Sequence, residues 1–307
     1  MNSLKGIENL VSVDPADYKE CIDVIEHECK IDQAKVNIRL HHLKFDGNGR
    51  PMVKALAQLL YLYIIEYCIS SKNRSTELTA RQATKLTKEA RELFRHPDIS
   101  DTSPDKTGEA GEALLFFLME AVLKAPQLVA KMELKTNRRD EVKGSDGIHI
   151  RWNDDDQIAD FFFGESKLYG SVGDAMTDAF KSINSFHDTE MYKHEFTMAT
   201  KHFKYADENT KKSIEELIRL GEPGPGARIN HACLIGYDWE EYNKLKFGSS
   251  TLIADFKDKL LTDSLRLTKL LDSRFTKFEK KYLCFEVFFI PFPSVKDFRN
   301  EFNAALN

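Results

Sequence analysis

Three apolar segments lie close together in the middle of the chain, and their spacing strongly restricts the possible folds. Each segment has the pattern of a β-strand, at Val129 to Lys135, Asp146 to Trp152 and Ile158 to Tyr169. The connections between them, Thr136 to Lys143 and Asn153 to Gln157, are short and polar. Because a short connection joins antiparallel strands more readily than parallel ones, we expect an antiparallel meander here.

The segments on either side add helices and further strands. Helices are predicted at Pro15 to Glu28, Val53 to Ile69, Thr79 to Phe94 with Thr76 or Ser75 as its cap, Thr107 to Lys124, Val172 to Phe186, Glu190 to Phe203, Glu208 to Leu220, Leu252 to Leu271 and Val295 to Ala305. Strands are predicted at Lys35 to Phe45, Ile229 to Tyr237 and Tyr282 to Ile290. The order of these elements predicts an α+β (mixed α/β) protein with a mixed sheet flanked by helices.

A turn-rich segment from His96 to Lys106 suggests a boundary between two regions. Residues 1–105 are then a mainly helical N-terminal region, which could bind a partner, and residues 106–307 form the larger domain. A chain of 307 residues is long enough for such an arrangement.

The composition is that of a globular protein inside the cell. Hydrophobic residues make up 42% and charged residues 30%, which argues against a disordered chain. The five cysteines are scattered and form no C-x-x-C pair, as expected for reduced thiols. The first ten residues lack the pattern of a secretory signal, and the apolar segment Val53 to Ile69 is interrupted by charged residues. We therefore expect a cytoplasmic protein without a membrane segment.

Acidic and basic side chains stand together at the end of the third strand-like segment. On a strand, residues two apart point the same way, so Glu165 and Lys167 project from one face. Asp146 lies on the preceding segment, in Gly-Ser-Asp-Gly-Ile-His. Asp146 and Glu165 could ligate Mg²⁺ or Mn²⁺, while Lys167 could orient or deprotonate an attacking water. This chemistry suits the hydrolysis of phosphodiester bonds.

This arrangement resembles the PD-(D/E)xK superfamily, which has a restriction-endonuclease-like core. The resemblance implies that Asp146, Glu165 and Lys167 are catalytic and that a glutamate on the preceding helix joins the metal site. Glu112 matches that position and Glu109 is the substitute candidate. The proline of the superfamily motif is replaced here by Ser145.

Three short motifs are also similar to a narrower family, HamA, the nuclease subunits of the Hachiman anti-phage defence system. These motifs are G-E-x-G-E-A-L-L, G-S-D-G-I-H and G-E-S-K-L-Y-G. That resemblance implies a metal-dependent DNA nuclease working with a superfamily 2 helicase subunit, HamB. It also fits the net charge of −5, which is unusual for a chain that holds nucleic acid by itself.

Several neighbouring residues have weaker signals. Arg138, Arg139, Lys143 and Tyr169 lie beside the candidate site and could contact nucleic acid, although charged turns are usually only solvated. His149 is as compatible with a hydrogen-bonded core position as with a functional one.

Two apparent motifs lack residues that their function requires. His194-Glu195 starts like a zinc-protease motif, but Met198 occupies the place of the second histidine. In the glycine-rich segment 221–226, two prolines remove the amide donors that a phosphate loop needs.

Two alternative functions remain open. A restriction-endonuclease-like fold could serve as a non-catalytic subunit that binds nucleic acid or a partner, and carboxylate–metal chemistry could equally cleave RNA. The enzyme hypothesis requires Asp146 to share a side of the sheet with Glu165 and Lys167.

Overall fold

The computed structural model describes residues 4–25, 31, 34–75, 77–94, 108–134, 144–219, 221–245, 249 and 251–307. Within these residues the strands are β1 Ile22–Ile25, β2 Lys35–Leu43, β3 Ile148–Asn153, β4 Ile158–Tyr169, β5 Ile218–Arg219, β6 Glu222–Pro223, β7 Ala227–Asp238 and β8 Cys284–Phe292. The helices are α1 Pro15–Cys21, α2 Val53–Leu62, α3 Ile64–Cys68, α4 Ala80–Phe94, α5 Glu109–Ala121, α6 Val172–Asp188, α7 Met191–Lys201, α8 Glu208–Leu217, α9 Leu252–Phe275 and α10 Val295–Leu306.

A mixed sheet of six strands forms the centre of the fold, in the order β1-β2-β8-β7-β4-β3. The four inner strands β2, β8, β7 and β4 are parallel, and both edge strands are antiparallel to their neighbours. The parallel pairing of β4 with β7 requires the long connection through α6, α7 and α8. Strands β5 and β6 form a separate two-stranded ribbon within this connection.

Helices cover both faces of the sheet, as buried parallel strands require. On one face Phe162 and Leu168 of β4 pack into a core with α2, α3, α4, α5 and α10. On the other face Cys233 and Ile235 of β7 pack against α6 and α9. A third core joins β3 and β4 to α7 through residues such as Phe196. Strand β4 is therefore enclosed along most of its length, with a polar segment near its carboxyl end.

The sequence-based fold class and most of its elements are confirmed. Strand β4 has the predicted bounds, and α4, α6 and α10 agree with prediction to within two residues at each end. Helix α4 begins differently: the Thr79 hydroxyl accepts a hydrogen bond from the Gln82 amide at 3.3 Å, so Thr79 performs the capping assigned to Thr76 or Ser75. Thr76 itself lies outside the described residues.

Some predicted elements differ from the structure in their limits or their type. The helix from Pro15 ends at Cys21, because the next four residues pair with β2 as strand β1. The helix from Val53 is interrupted at Tyr63, whose hydroxyl donates a hydrogen bond to Asp17 at 2.5 Å. The strand at Val129 to Lys135 is absent from its described part, where Lys131–Leu134 forms a short 3-10 helix.

The loss of that strand also removes the three-stranded meander. Only the antiparallel pair β3 and β4 remains of it, and β4 pairs on its other side with β7 in parallel. The apolar segment before Lys131 touches β3 through single hydrogen bonds instead, such as Leu128 N to Ile148 O at 2.7 Å. Its hydrophobic pattern therefore reflects burial in a loop.

Residues 1–105 contribute β1 and β2 to the central sheet as well as helices α1 to α4. The segment that suggested a boundary, residues 95–107, lies outside the described residues, and the division at residue 105 stays a prediction. Among the described helices, none combines the length and hydropathy needed to span a membrane. None of the four described cysteines forms a disulfide.

Candidate active site

Glu165 and Lys167 lie near the carboxyl end of β4, where the strand changes from apolar to polar. Residues 159–164 are buried, whereas Glu165, Ser166 and Lys167 are partly exposed. Lys167 Nζ lies 2.8 Å from Glu165 Oε1, which confirms that the two side chains share one face of the strand. Ser166 points to the opposite face, as the alternation of a strand requires.

Asp146 is held beside this pair by hydrogen bonds to β4. Its backbone amide donates to Gly164 O at 2.8 Å, which extends the pairing of β3 and β4 by one step. Its carboxylate Oδ2 accepts from the Ser166 amide at 2.6 Å and from the Ser166 hydroxyl at 2.7 Å. Asp146 and Ser166 are 20 residues apart in sequence but are in direct contact in the fold.

Asp146, Glu165 and Lys167 line the same cavity, which has a volume of about 490 Å³. The opposite wall is formed by polar residues of helix α6 and by the segment after it. This wall contains Asp178, Lys181, Ser182, Ser185, Phe186, Thr189 and Met191. The three predicted core residues are therefore accessible from one space, as the enzyme hypothesis requires.

The carboxyl groups of Asp146 and Glu165 in the cavity both have pKa values above their ordinary ones. Burial and the nearby charge of Asp146 raise the pKa of Glu165 to about 7, although Lys167 acts to lower it. Burial also raises the pKa of Asp146, against the hydrogen bonds from Ser166. Burial acts to lower the pKa of Lys167, but the charge and hydrogen bond of Glu165 and the charge of Asp146 together raise that pKa above its ordinary value. Three carboxyl groups, those of Asp146, Glu165 and Asp178, thus line the cavity together with two ammonium groups, those of Lys167 and Lys181.

Helix α5 packs against the other face of β4 and carries the two candidate glutamates. A Cβ at Gly111 would lie 3.0 Å from Ser166 Oγ, so the glycine permits the close approach of helix and strand. Glu112 Oε2 accepts a hydrogen bond from the Tyr67 hydroxyl at 3.0 Å, and Glu109 is buried at 6% exposure. Glu112 is not among the described residues that line the cavity, and its role as a metal ligand stays a prediction.

The remaining candidates fall into three groups. Tyr169 lies on the same strand face, but its hydroxyl donates to Asp178 at 2.5 Å. Arg138, Arg139 and Lys143 lie outside the described residues. His149 is fully enclosed, and its Nδ1 lies 2.8 Å from Ala125 O, which identifies it as a hydrogen-bonded core residue.

Sequence reasoning missed the polar wall on helix α6. Asp178, Lys181, Ser182, Ser185 and Thr189 recur at helical spacing along this helix and just beyond it. That stripe was visible in the sequence as the polar face of an amphipathic helix. The sequence did not show that this stripe faces the cavity, because a polar stripe commonly faces solvent.

The donor set fits a hard divalent cation. Within the described ranges no group of three or more His, Cys, Asp or Glu side chains is arranged to hold a metal ion. Mg²⁺, however, is commonly bound by one or two carboxylates and keeps several waters or substrate oxygens as its other ligands. Asp146 and Glu165 offer two such carboxylates in an open cavity, so they fit Mg²⁺ or the similar Mn²⁺.

Comparison with known proteins identifies the family. No curated protein matches the chain. A protein-family model described as HamA matches residues 19–306, which includes the whole cavity and both faces of the sheet. The chain therefore belongs to the HamA family.

Proposed function

We propose that this chain is a metal-dependent DNA nuclease and the effector subunit of an anti-phage defence complex. The main support for the proposal is that Asp146, Glu165 and Lys167 line one cavity beside helix α6. Membership of the HamA family supports the role in defence. We propose that this cavity is a restriction-endonuclease-like PD-(D/E)xK site, as the sequence resemblance implies.

Each residue would have a distinct part in the hydrolysis of a phosphodiester bond. Asp146 and Glu165 would hold the ion, with Ser166 keeping the Asp146 carboxylate in place. When bound, Mg²⁺ or Mn²⁺ supplies a Lewis acid and makes a ligated water more acidic. Lys167 Nζ, at 2.8 Å from Glu165, is placed to orient the attacking water and to offset the negative charge that develops on the phosphate.

A partner subunit would account for the binding of DNA. The net charge of −5 gives the chain no general attraction for a polyanion. Exposed Lys181 is a cation at the cavity wall and is suited to a local phosphate contact. We therefore propose that a superfamily 2 helicase, as implied by the resemblance, holds the duplex and delivers it to this site.

The test measures metal binding and nucleic-acid cleavage by the same purified proteins. The chain is assayed alone and with the co-purified helicase on DNA and RNA, in Mg²⁺ and in Mn²⁺. Asp146→Asn, Glu165→Gln and Lys167→Met should each reduce DNA cleavage by at least about 100-fold while the protein stays folded, since they remove transition-state contacts. Asp146→Asn and Glu165→Gln should also abolish calorimetric Mn²⁺ binding.

A matched control is the ion pair between Glu241 and Lys259, whose atoms lie 2.8 Å apart outside the cavity lining. Glu241→Gln should leave both cleavage and metal binding unchanged. Full cleavage by the Glu165→Gln variant would defeat the proposal. Absence of Mn²⁺ binding to the unmodified protein would instead favour a non-catalytic binding subunit, and preferential RNA cleavage would change the substrate.

A further inference from the structure

A buried ion pair holds the loop that carries Asp146. Lys131 Nζ bonds to Glu195 Oε1, and their side chains are only 8% and 0% exposed. Lys131 belongs to the short 3-10 helix before the loop, whereas Glu195 lies in α7, 64 residues further along the chain. Neither residue is among those that line the cavity within the described part of the chain.

Both members of the pair bind the backbone of Ser145, the residue before Asp146. Lys131 Nζ donates to Ser145 O at 2.7 Å and to Ser145 Oγ at 3.2 Å. Glu195 Oε1 accepts from the Ser145 amide at 2.9 Å. The amide and the carbonyl of Ser145 are thus satisfied by one pair of opposite charges, and this leaves the loop little freedom to rotate.

Gly144, the residue before Ser145, packs closely against the same Glu195 carboxylate. Gly144 has φ +115°, a conformation that side chains rarely adopt, and a Cβ there would lie 1.9 Å from Glu195 Oε1. On its far side the loop is bound to β4 through the Asp146 amide. Ser145 and Asp146 are therefore bound on both sides, Ser145 to Glu195 and Asp146 to β4, where the Asp146 carboxylate reaches the cavity.

The buried pair of Lys131 and Glu195 contributes little net free energy to the stability of the fold. Burying two charges removes their hydration, and apolar residues of the same size often stabilise a protein as well or better. Glu195 Oε2 is also buried without a hydrogen-bond partner in the described part of the structure. Such an arrangement is more readily explained by a need for defined geometry than by a need for stability.

We propose that Lys131 and Glu195 are positioning residues, which set the backbone of Ser145 so that Asp146 meets Glu165 and Lys167 in the cavity. This inference rests on the proposed function, because it concerns the geometry of the same metal site. It assigns a role to Glu195, which the sequence showed only as part of an incomplete zinc-protease motif.

The experiment compares Glu195→Gln and the double variant Lys131→Met/Glu195→Gln with the unmodified chain. Glu195→Gln preserves shape, and the double variant buries no unpaired charge, so at least one of them should fold. We expect Mn²⁺ affinity, measured by calorimetry without nucleic acid, to fall by about tenfold or more, as found when the supports of metal ligands are removed. Hydrogen exchange in the segment 144–147 should become faster, while that of β7 and β8 should not change.

The control is Arg39→Met, which breaks another ion pair with a buried carboxylate, that of Glu286 at 3.1 Å. It should lower the melting temperature yet leave Mn²⁺ affinity within about twofold, because Arg39 lies on β2, which strands β8 and β7 separate from β4. Folded Glu195 variants that bind Mn²⁺ as well as the unmodified chain would overturn the positioning role and leave the proposed function standing. If the unmodified chain itself binds no Mn²⁺, the proposed function fails and the positioning role fails with it.

Discussion

The ammonium group of Lys167 lies 2.8 Å from the carboxylate of Glu165, and yet the pKa of Glu165 is raised to about 7. Burial and the charge of Asp146 outweigh the attraction of the cation. In the absence of a metal ion, Glu165 therefore keeps its proton up to about pH 7. This property gives two predictions on pH dependence.

The first concerns the stability of the metal-free protein. The pKa of Glu165 is higher in the folded chain, about 7, than its ordinary value of 4.5, so its contribution to stability is present below pH 4.5 and is lost as the pH rises to about 7. Glu165→Gln removes this loss. Between about pH 4.5 and pH 8 the variant should gain on the order of 1–3 kcal/mol in free energy of unfolding relative to the unmodified chain. Chemical denaturation in a chelator measures this, and parallel pH profiles would contradict it.

The second concerns metal binding, because a carboxylate must lose its proton before it can ligate Mg²⁺ or Mn²⁺. Below the Glu165 pKa of about 7, each unit of pH should weaken Mn²⁺ binding by up to about tenfold. Calorimetric titrations at about pH 5.5, 7 and 8 should therefore show affinity rising and then levelling. A pH-independent affinity would show that Glu165 is not a ligand.

Ser166→Ala tests how the Asp146 carboxylate is held. The variant removes the hydroxyl that donates to Asp146 Oδ2 at 2.7 Å but keeps the backbone amide that donates at 2.6 Å. Losing one hydrogen bond to a charged group should cost about 1–3 kcal/mol of the energy that fixes Asp146. We expect roughly a tenfold loss of Mn²⁺ affinity and of DNA cleavage, far less than for Asp146→Asn. Ser273→Ala, on α9, removes a similar hydroxyl and should change neither quantity.

Lys181→Ala tests whether the cavity wall on α6 contacts the substrate. Lys181 is an exposed residue of the cavity wall, so its loss should raise KM with little change in kcat. The dependence of log affinity on log salt concentration should become shallower by about one unit, as for the loss of one phosphate contact. Lys212→Ala, at an exposed position on α8, is the matched control and should leave the salt slope unchanged.

The local sequence pattern was enough to identify strand β4 and the pair of Glu165 and Lys167 at the centre of the site. Strand β4 is a mostly apolar segment that ends in polar residues and is bounded by polar turns, so its limits and the shared direction of Glu165 and Lys167 could both be predicted. The same reasoning failed at Val129 to Lys135. An apolar segment packed against the edge of β3 as a loop has the composition of a strand, and periodicity alone does not distinguish the two.

Tertiary structure decided what no local pattern encodes. The parallel partners of β4, the direction of the polar stripe on α6, and the pairing of Lys131 with Glu195 all join segments far apart in sequence. Hydrophobic periodicity records which side of an element is buried, but not the element that it is buried against. A charge in the interior must find its partner there, because water is excluded, and only the completed packing of α7 on the sheet determines that Glu195 meets Lys131 beside Asp146.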